Sequence, residues 1–287
     1  MSVGDTMILL TGHEGFIGSH FLKALLAQHK DVMLVEKEDV HNLFVTEPEK
    51  DAVNWDEIEL IIHMGADSST VGTNPRRYWT YNIDFTIKLF EKAIIHKIPV
   101  KYASSASVYG NNFPEYNPLN FYALSKLTID YWVLENLDRF ESIQGYRFFN
   151  VYGTNEDHKV IADQASPISK FVKQIEQRGY IELFDGSASI YRDFVWVGNC
   201  VDIVLYEEPP SGIYDLGTSK PVSFLHVAEM VTKAYGGEIR FIPFPEHLIG
   251  KYQDYTCAAN HWPGYEFLTV ENYLCPDESL VHSSEGY

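Results

Sequence analysis

A chain of 287 residues, 45% hydrophobic and 14% aromatic, is long enough to bury a substantial core as one large domain or two smaller ones. With 40 Asp plus Glu against 22 Lys plus Arg, the formal charge of −18 argues against sequence-independent binding to nucleic acid or an acidic membrane, so any phosphate site must be local. Three widely spaced cysteines, Cys200, Cys257 and Cys275, make neither a disulfide framework nor a zinc site and fit a reducing compartment, with no metal expected. Met1 to Thr6 has no basic stretch leading into a signal-length apolar segment, and no run approaches about 20 apolar residues, so a soluble cytoplasmic protein is expected.

The first apolar run, Met7 to Thr11, reads as a buried strand. It breaks at Gly12-His13-Glu14-Gly15-Phe16-Ile17-Gly18 before an amphipathic segment through Leu26. Strand, glycine turn and helix in that order suit a dinucleotide: Gly12 permits the tight turn, Gly15 lets backbone approach a pyrophosphate and Gly18 lets helix pack on strand. The next strand, Val32 to Val35, ends at Glu36, where an acid can bind the adenosine ribose hydroxyls. Lys37 follows and could tolerate the extra phosphate of NADP, so both NAD and NADP stay open. Residues 37 to 57 read as a loop with one helical turn at most.

Leu60 to His63 is the third strand, with His63 expected as a core histidine satisfied within the protein. It runs into the small-residue loop Met64-Gly65-Ala66-Asp67-Ser68-Ser69, which could admit a cofactor close to its backbone. Tyr78 to His96 has helical spacing with Asn82 on its polar side, and Val100 to Ala103 is a fourth strand. Ser104-Ser105-Ala106-Ser107-Val108-Tyr109-Gly110 then sits at a strand carboxyl end, where open α/β sheets place ligands. The next helix carries Tyr122 and Lys126, four positions apart and so on one face. A phenol is a poor acid/base at neutral pH unless a cation favours its anion, and Lys126 is placed to be that cation. Ser142 to Phe148 is the fifth strand, ending in Arg147-Phe148-Phe149-Asn150-Val151-Tyr152-Gly153.

The alternation to this point argues an α/β fold, a doubly wound parallel sheet of Rossmann type with right-handed crossovers. Beyond Gly153 a helix is expected over 168–177, a strand over 181–187, a strand over 192–197 returning toward the sheet, and a further strand over 212–216. A helix over 224–235 and a strand beginning at Ile239 follow, while 275–287 has weak pattern. The expected division is a dinucleotide-binding domain of 1–153 plus about 193–217, and a smaller interleaved substrate lobe of 154–192 plus about 218–287.

Taken together, Gly12-x-x-Gly15-x-x-Gly18, the serine motif with Tyr109-Gly110, Tyr122-x-x-x-Lys126 and Arg147-x-Phe149-Asn150-Val151-Tyr152-Gly153 resemble the extended short-chain dehydrogenase/reductase superfamily. Three further stretches resemble its ADP-L-glycero-D-manno-heptose 6-epimerases: Asp157-His158-Lys159, Arg192 to Gly198, and Ile242 to Pro245 with Gly250-Lys251-Tyr252-Gln253. The resemblance, from about Met7 to about Val270, implies a tightly bound NADP or NAD, transient oxidation of an ADP-heptose at C6 to a ketone, and return of hydride to the other face. It implies that Tyr122 and Lys159 are two acid/base groups for opposite orientations of the keto group, that Ser105 binds the reacting oxygen, and that Lys126 holds the nicotinamide ribose and depresses the tyrosine pKa.

Further cofactor contacts implied are Phe16 and Ile17 in the turn, Met64, Gly65 and Ala66, Asn82 and His158. Those to the nucleotide sugar are Ser105, Lys159, Asn150, Phe184, Asp185, Gly186, Ser187, Arg192 and Tyr252, with Arg192 suited to a diphosphate by its planar fork. Against these stand a structural ion pair for Arg192, a packing role for Tyr252 and a solvated loop lysine for Lys159. A homo-oligomer is also implied.

The chain departs from the family pattern at Val160-Ile161-Ala162, at Lys170, at Glu36-Lys37 and in a short tail where a C-terminal helix is expected. The competing readings are a UDP- or TDP-sugar 4-epimerase or 4,6-dehydratase, and a non-catalytic dinucleotide-binding protein. Ala106-Ser107 stand where a dehydratase needs an Asp-Glu pair, and a sensor has no need of Ser105, Tyr122 and Lys126 together.

Overall fold

The computed structural model describes residues 6–36, 53–111, 113–156, 165–246 and 252–276. Its largest sheet has six strands, in the spatial order β2-β1-β3-β4-β5-β10. These are β1 (Met7–Thr11), β2 (Val32–Val35), β3 (Ile58–His63), β4 (Val100–Ser105), β5 (Ile143–Phe148) and β10 (Gly212–Leu216). β1 pairs in parallel with β2 and β3, and β3 with β4. The chain steps from β1 to β2 on one side and then to β3 on the other. Right-handed crossovers therefore put the two connections on opposite faces, and the carboxyl ends of β1 and β3 form a topological switch point where such sheets bind ligands.

The helices that serve this sheet are α1 (Phe16–Ala27), the short α2 (Pro75–Tyr78), α3 (Phe85–His96) and α4 (Phe121–Glu135). Between α2 and α3 the chain is π-helical over Trp79–Asp84. That wider step turns Asn82 inward, so the residue expected on a polar helix face is 2% exposed. Asn120 caps α4, its side-chain oxygen accepting from Ala123 N at 2.9 Å, and so fixes where the helix bearing Tyr122 begins. Leu9, Ile61, Val100, Phe90, Tyr102 and Ile143 belong to the core that backs the sheet. Phe90, fully buried, meets Tyr102 edge-on at 5.3 Å and Phe140 at 5.9 Å.

By packing, the chain divides into two units. The first comprises Met1–Val108, Pro118–Arg147 and Ile203–Tyr214, and the second Tyr109–Asn117, Phe148–Asp202 and Asp215–Tyr287. Residues 109–117, 148–153, 193–202 and 215–217, expected in the dinucleotide-binding domain, fall in the second unit.

In the second unit, α5 (Pro167–Arg178) starts at the cap Ser166 and stops at Gly179, whose φ of +76° is the left-handed conformation that ends helices. It packs through Phe171 and Ile175 in one core with Ile181, Leu183, Val227 and Val231. Ile181 and Leu183 lie on β7 (Tyr180–Phe184), which pairs in parallel with β12 (Glu238–Ile242). Val227 and Val231 lie on α7 (Phe224–Tyr235), and a last short helix, α8 (Val270–Leu274), joins the same core where only a tail is expected.

The strand expected over 192–197 is a correction. Instead, β8 (Tyr191–Arg192) pairs with β11 (Val222–Ser223), and β9 (Val195–Trp196) pairs with β6 (Val151–Tyr152), outside the large sheet. Asp193 interrupts the run because its buried carboxylate gathers backbone N–H groups from two other segments. α6 (Val197–Tyr206) follows, a helix not expected from the sequence: Cys200, Val201, Ile203 and Val204 are all fully buried, and only Asp202 and Tyr206 mark its outer side. Among the described residues no helix is long and apolar enough to cross a membrane.

Candidate active site

The candidate site of the first unit is built from the glycine turn outward. Gly12 has φ +74°, and a side chain there would come within 2.5 Å of the Gly65 backbone. A side chain at Gly18 would collide with the Gly12 carbonyl. The turn after β1 and the loop after β3 therefore approach backbone to backbone at the switch point, leaving a bare peptide surface for a ligand. Thr11 ties them together, accepting from Gly65 N at 3.0 Å while its hydroxyl lies 2.7 Å from His63 Nδ1. His63 Nε2 reaches Thr86 Oγ1 at 2.9 Å, and burial pushes the imidazole down to about 3, so it is neutral and satisfied as expected.

Glu36 stands at the end of β2 with Oε1 accepting from Glu14 N at 3.0 Å and 3.0 Å from His13 Nδ1. An acid is thus fixed where adenosine ribose hydroxyls would lie beside the glycine turn. Lys37 lies outside the described residues. Asn82 bonds to the loop on both sides of its amide: Asp67 N donates to Oδ1 at 2.7 Å, and Nδ2 donates to Asp67 O at 3.0 Å and Ser125 Oγ at 2.9 Å. Its amide thus links the loop after β3 to α4.

The catalytic candidates of this unit come together as the motif requires. Ser105 ends β4 and is the side-chain hydrogen-bonding partner of the Tyr122 phenol; both residues are half-buried. Burial raises the Tyr122 pKa and the Ser105 bond opposes that rise. The direction is opposite to the depressed phenol implied by the sequence. The reason is geometric: Lys126 is buried, and its ammonium donates to Ala103 O at 2.6 Å. Burial pushes Lys126 itself down to about 8, with the Asp130 charge working the other way. Ser107, beside Ser105, has a buried hydroxyl with no protein partner among the described residues.

The second unit gathers the residues implied for the sugar nucleotide. Phe184 meets Phe244 edge-on at 5.4 Å, and Phe244 meets Tyr252 at 5.8 Å. The Arg192 guanidinium lies over Tyr252 at 5.3 Å and Phe224 at 5.5 Å. It donates to Tyr191 O at 2.9 Å and to Gln253 O, so it is held mainly by carbonyls and rings, with two of a guanidinium's five N–H groups spent on these carbonyls. After β7 the chain turns at Gly186 (φ +85°), and the Ser187 hydroxyl is taken by Phe184 O. Asp185 N donates to Ile242 O at 2.8 Å. Asn150 Nδ2 donates to Asp193 O at 3.2 Å and Thr256 Oγ1 at 3.0 Å. His158 and Lys159 lie outside the described residues.

Several residues of this arrangement have no role assigned from the sequence. Phe244 falls in the stretch 242–245 quoted for the resemblance, and Arg147 opens the motif that begins at the end of β5, so both carried a signal. Phe224, Thr256 and Asp130 carried none, because each acts through a contact distant in sequence.

Residues 8–217 match the NAD dependent epimerase/dehydratase family. The chain is 37% identical over 286 residues to the ADP-L-glycero-D-manno-heptose-6-epimerase of Alkalilimnicola ehrlichii, with 88% of each chain covered. Among solved structures it resembles the ADP-L-glycero-D-manno-heptose-6-epimerase of Helicobacter pylori, at TM-score 0.74 and 23% identity over 97% of both chains. It also resembles the UDP-glucose 4-epimerase of Thermus thermophilus in complex with NAD, at TM-score 0.68 and 20% identity over 88% of this chain and 90% of that one. At such identities the two structures speak for the fold.

Proposed function

Because the chain belongs to the NAD dependent epimerase/dehydratase family, we propose that it is a nucleotide-sugar epimerase that inverts C6 of an ADP-heptose. The observation that carries the reaction type is the pairing of Ser105 with the Tyr122 phenol, with Lys126 one helical turn away, since that trio moves the proton of an alcohol oxygen while hydride leaves the carbon. What favours the heptose is the 37% identity over most of the chain to an enzyme of that name.

NAD fits the first unit: Gly12 and Gly18 permit the tight turn and its packing, Gly15 leaves bare backbone for a pyrophosphate, and Glu36 is held by Glu14 N–H where ribose hydroxyls bind. A 2′-phosphate there would meet the Glu36 carboxylate, so NAD is proposed over NADP. When bound, the nicotinamide supplies the hydride acceptor and donor. The chain's own residues do the rest. Tyr122 exchanges the proton of the sugar hydroxyl, Ser105 hydrogen bonds the same oxygen, and Lys126 binds the nearby ribose. Arg192 takes the diphosphate with its remaining N–H groups, while Phe184, Asp185, Gly186, Ser187, Asn150 and Tyr252 shape the nucleotide site. Lys159 is the second acid/base group, needed because two epimeric alcohols present their protons from opposite faces.

We place the enzyme in the cytoplasm as a homo-oligomer. The exposed Phe121, Leu124, Tyr131 and Leu134 of α4 support assembly, and sedimentation velocity reads it. The deciding experiment incubates the protein with ADP-D-glycero-D-manno-heptose in deuterated water and follows C6 by NMR. Inversion without deuterium at C6 is expected. Deuterium at C6 would exclude hydride return, and no inversion would exclude this sugar.

A further inference from the structure

Beneath the Tyr122–Lys126 pair lies a buried charge cluster that the reaction does not itself consume. Asp130 follows Lys126 by one turn of α4, and the two are 1% and 6% exposed. Asp130 Oδ2 accepts from Arg147 Nε at 2.8 Å, and Oδ1 accepts from Tyr102 Oη at 3.1 Å. Tyr102 and Ala103 are neighbours on β4, so the same stretch of strand receives the Lys126 ammonium on its carbonyl and grips Asp130 through its phenol. The groups that act on Lys126 are thus His63 of β3 and Asp130 of α4 and, through Asp130, Tyr102 of β4 and Arg147 of β5, while Tyr122 shares its helix face.

Of these, only Asp130 can carry negative charge near neutral pH. His63 is neutral, and burial raises Tyr122. Arg147 is a second cation, 7% exposed. Without Asp130 two cations would share one dry region, which is costly for both. We propose that Asp130, clamped by Arg147 and Tyr102, is a positioning residue that supplies the negative charge keeping Lys126 an ammonium aimed at Ala103. Burial is the largest influence on both groups, lowering Lys126 and raising Asp130; the Asp130 charge opposes it at the lysine, and Arg147, Ser104 and Tyr102 oppose it at the carboxylate. The clamp therefore favours the charged carboxylate, and the carboxylate favours the charged lysine. This rests on the role proposed for Lys126 above, but its test does not.

The test follows the Lys126 side chain directly, by NMR of protein labelled with ¹³C at lysine Cε, with the signal identified by its loss in Lys126→Met. The wild-type signal is expected to titrate at about 8. In Asp130→Asn the midpoint should fall by about one unit or more, and Asp130→Glu should recover most of the loss. An unchanged midpoint in folded Asp130→Asn overturns the proposal. Where that variant does not fold, Asp130→Asn with Arg147→Met removes the buried pair together, a change such pairs tolerate better than loss of one partner. Its midpoint should lie below that of Arg147→Met alone, a comparison that isolates the Asp130 charge, and equal midpoints again overturn the proposal. In turnover, the alkaline decline of kcat should move to lower pH with the same midpoint. If the titration moves but no nucleotide sugar is epimerised, the functional reading fails and the role of Asp130 stands.

Discussion

The two units treat their buried polar residues differently. In the first, the residues implied for chemistry are held by a small number of bonds that leave reactive atoms uncommitted: Lys126 gives one bond to Ala103 O, and Tyr122 meets Ser105. In the second, polar side chains are absorbed into the scaffold. Asp193 is fully buried and accepts from Thr218 N, Thr218 Oγ1, Ser219 N and Ala258 N at 2.6–2.9 Å. Glu156 likewise accepts from Gly153 N, Ser166 N and Ser166 Oγ at 2.6–3.1 Å. A buried polar group with spare valence points to a ligand, whereas one saturated by backbone N–H groups points to architecture. Substitutions should therefore separate turnover from stability along this division.

The largest separation is expected at Tyr122. Removing its hydroxyl in Tyr122→Phe takes away the acid/base group but leaves a ring of the same shape, so turnover should fall about 10²–10⁴-fold. Thermal unfolding should move little, because the hydroxyl gives up only the Ser105 bond. A wild-type rate would remove Tyr122 from the chemistry.

His63 comes next, on the stability side of the first unit. It is held neutral, with its pKa lowered from 6.5 to about 3. The sign follows from linkage: below 6.5 the unfolded chain takes up a proton that the folded histidine refuses. Its contribution is complete above pH 6.5 and is lost progressively as pH falls toward about 3, reaching on the order of 5 kcal/mol. Denaturant unfolding of wild type and His63→Gln across that window checks it. The variant should show a shallower acid slope, and equal slopes would refute the assignment.

This contrast also explains what could be read in the sequence. The alternation of apolar runs with amphipathic segments located β1 through β5 and the end of α4 to within two residues, because each buries one consistent face. The same local signals placed Gly12, Ser105, Tyr122 and Lys126, whose spacing is set within single turns. The inward rotation of Asn82 was hidden because it depends on a π-helical step with no sequence mark. The break at Asp193 was hidden for another reason: its partners lie at Thr218, Ser219 and Ala258, and nothing near Asp193 announces them. Even where spacing was right, direction could fail. Tyr122 and Lys126 share a face, yet the lysine's bond runs to Ala103 and burial decides the phenol.

Asp193 offers the smaller but more specific test of the division. Its carboxylate gathers Thr218, Ser219 and Ala258 around the segment between β8 and β9. Asp193→Asn keeps the shape but replaces one acceptor oxygen with an NH₂ group that faces donors. At least one N–H then loses its partner, at a cost of about 1–3 kcal/mol. The effect should appear as a lowered unfolding midpoint in urea with an unchanged slope. It should reach turnover only through the neighbouring Arg192 and Asn150, whose bonds to Tyr191 O, Gln253 O and Asp193 O the segment positions. KM for the nucleotide sugar should therefore rise more than kcat falls. A variant that kept full stability and lost kcat alone would put Asp193 with the chemistry and erase the distinction between the two units.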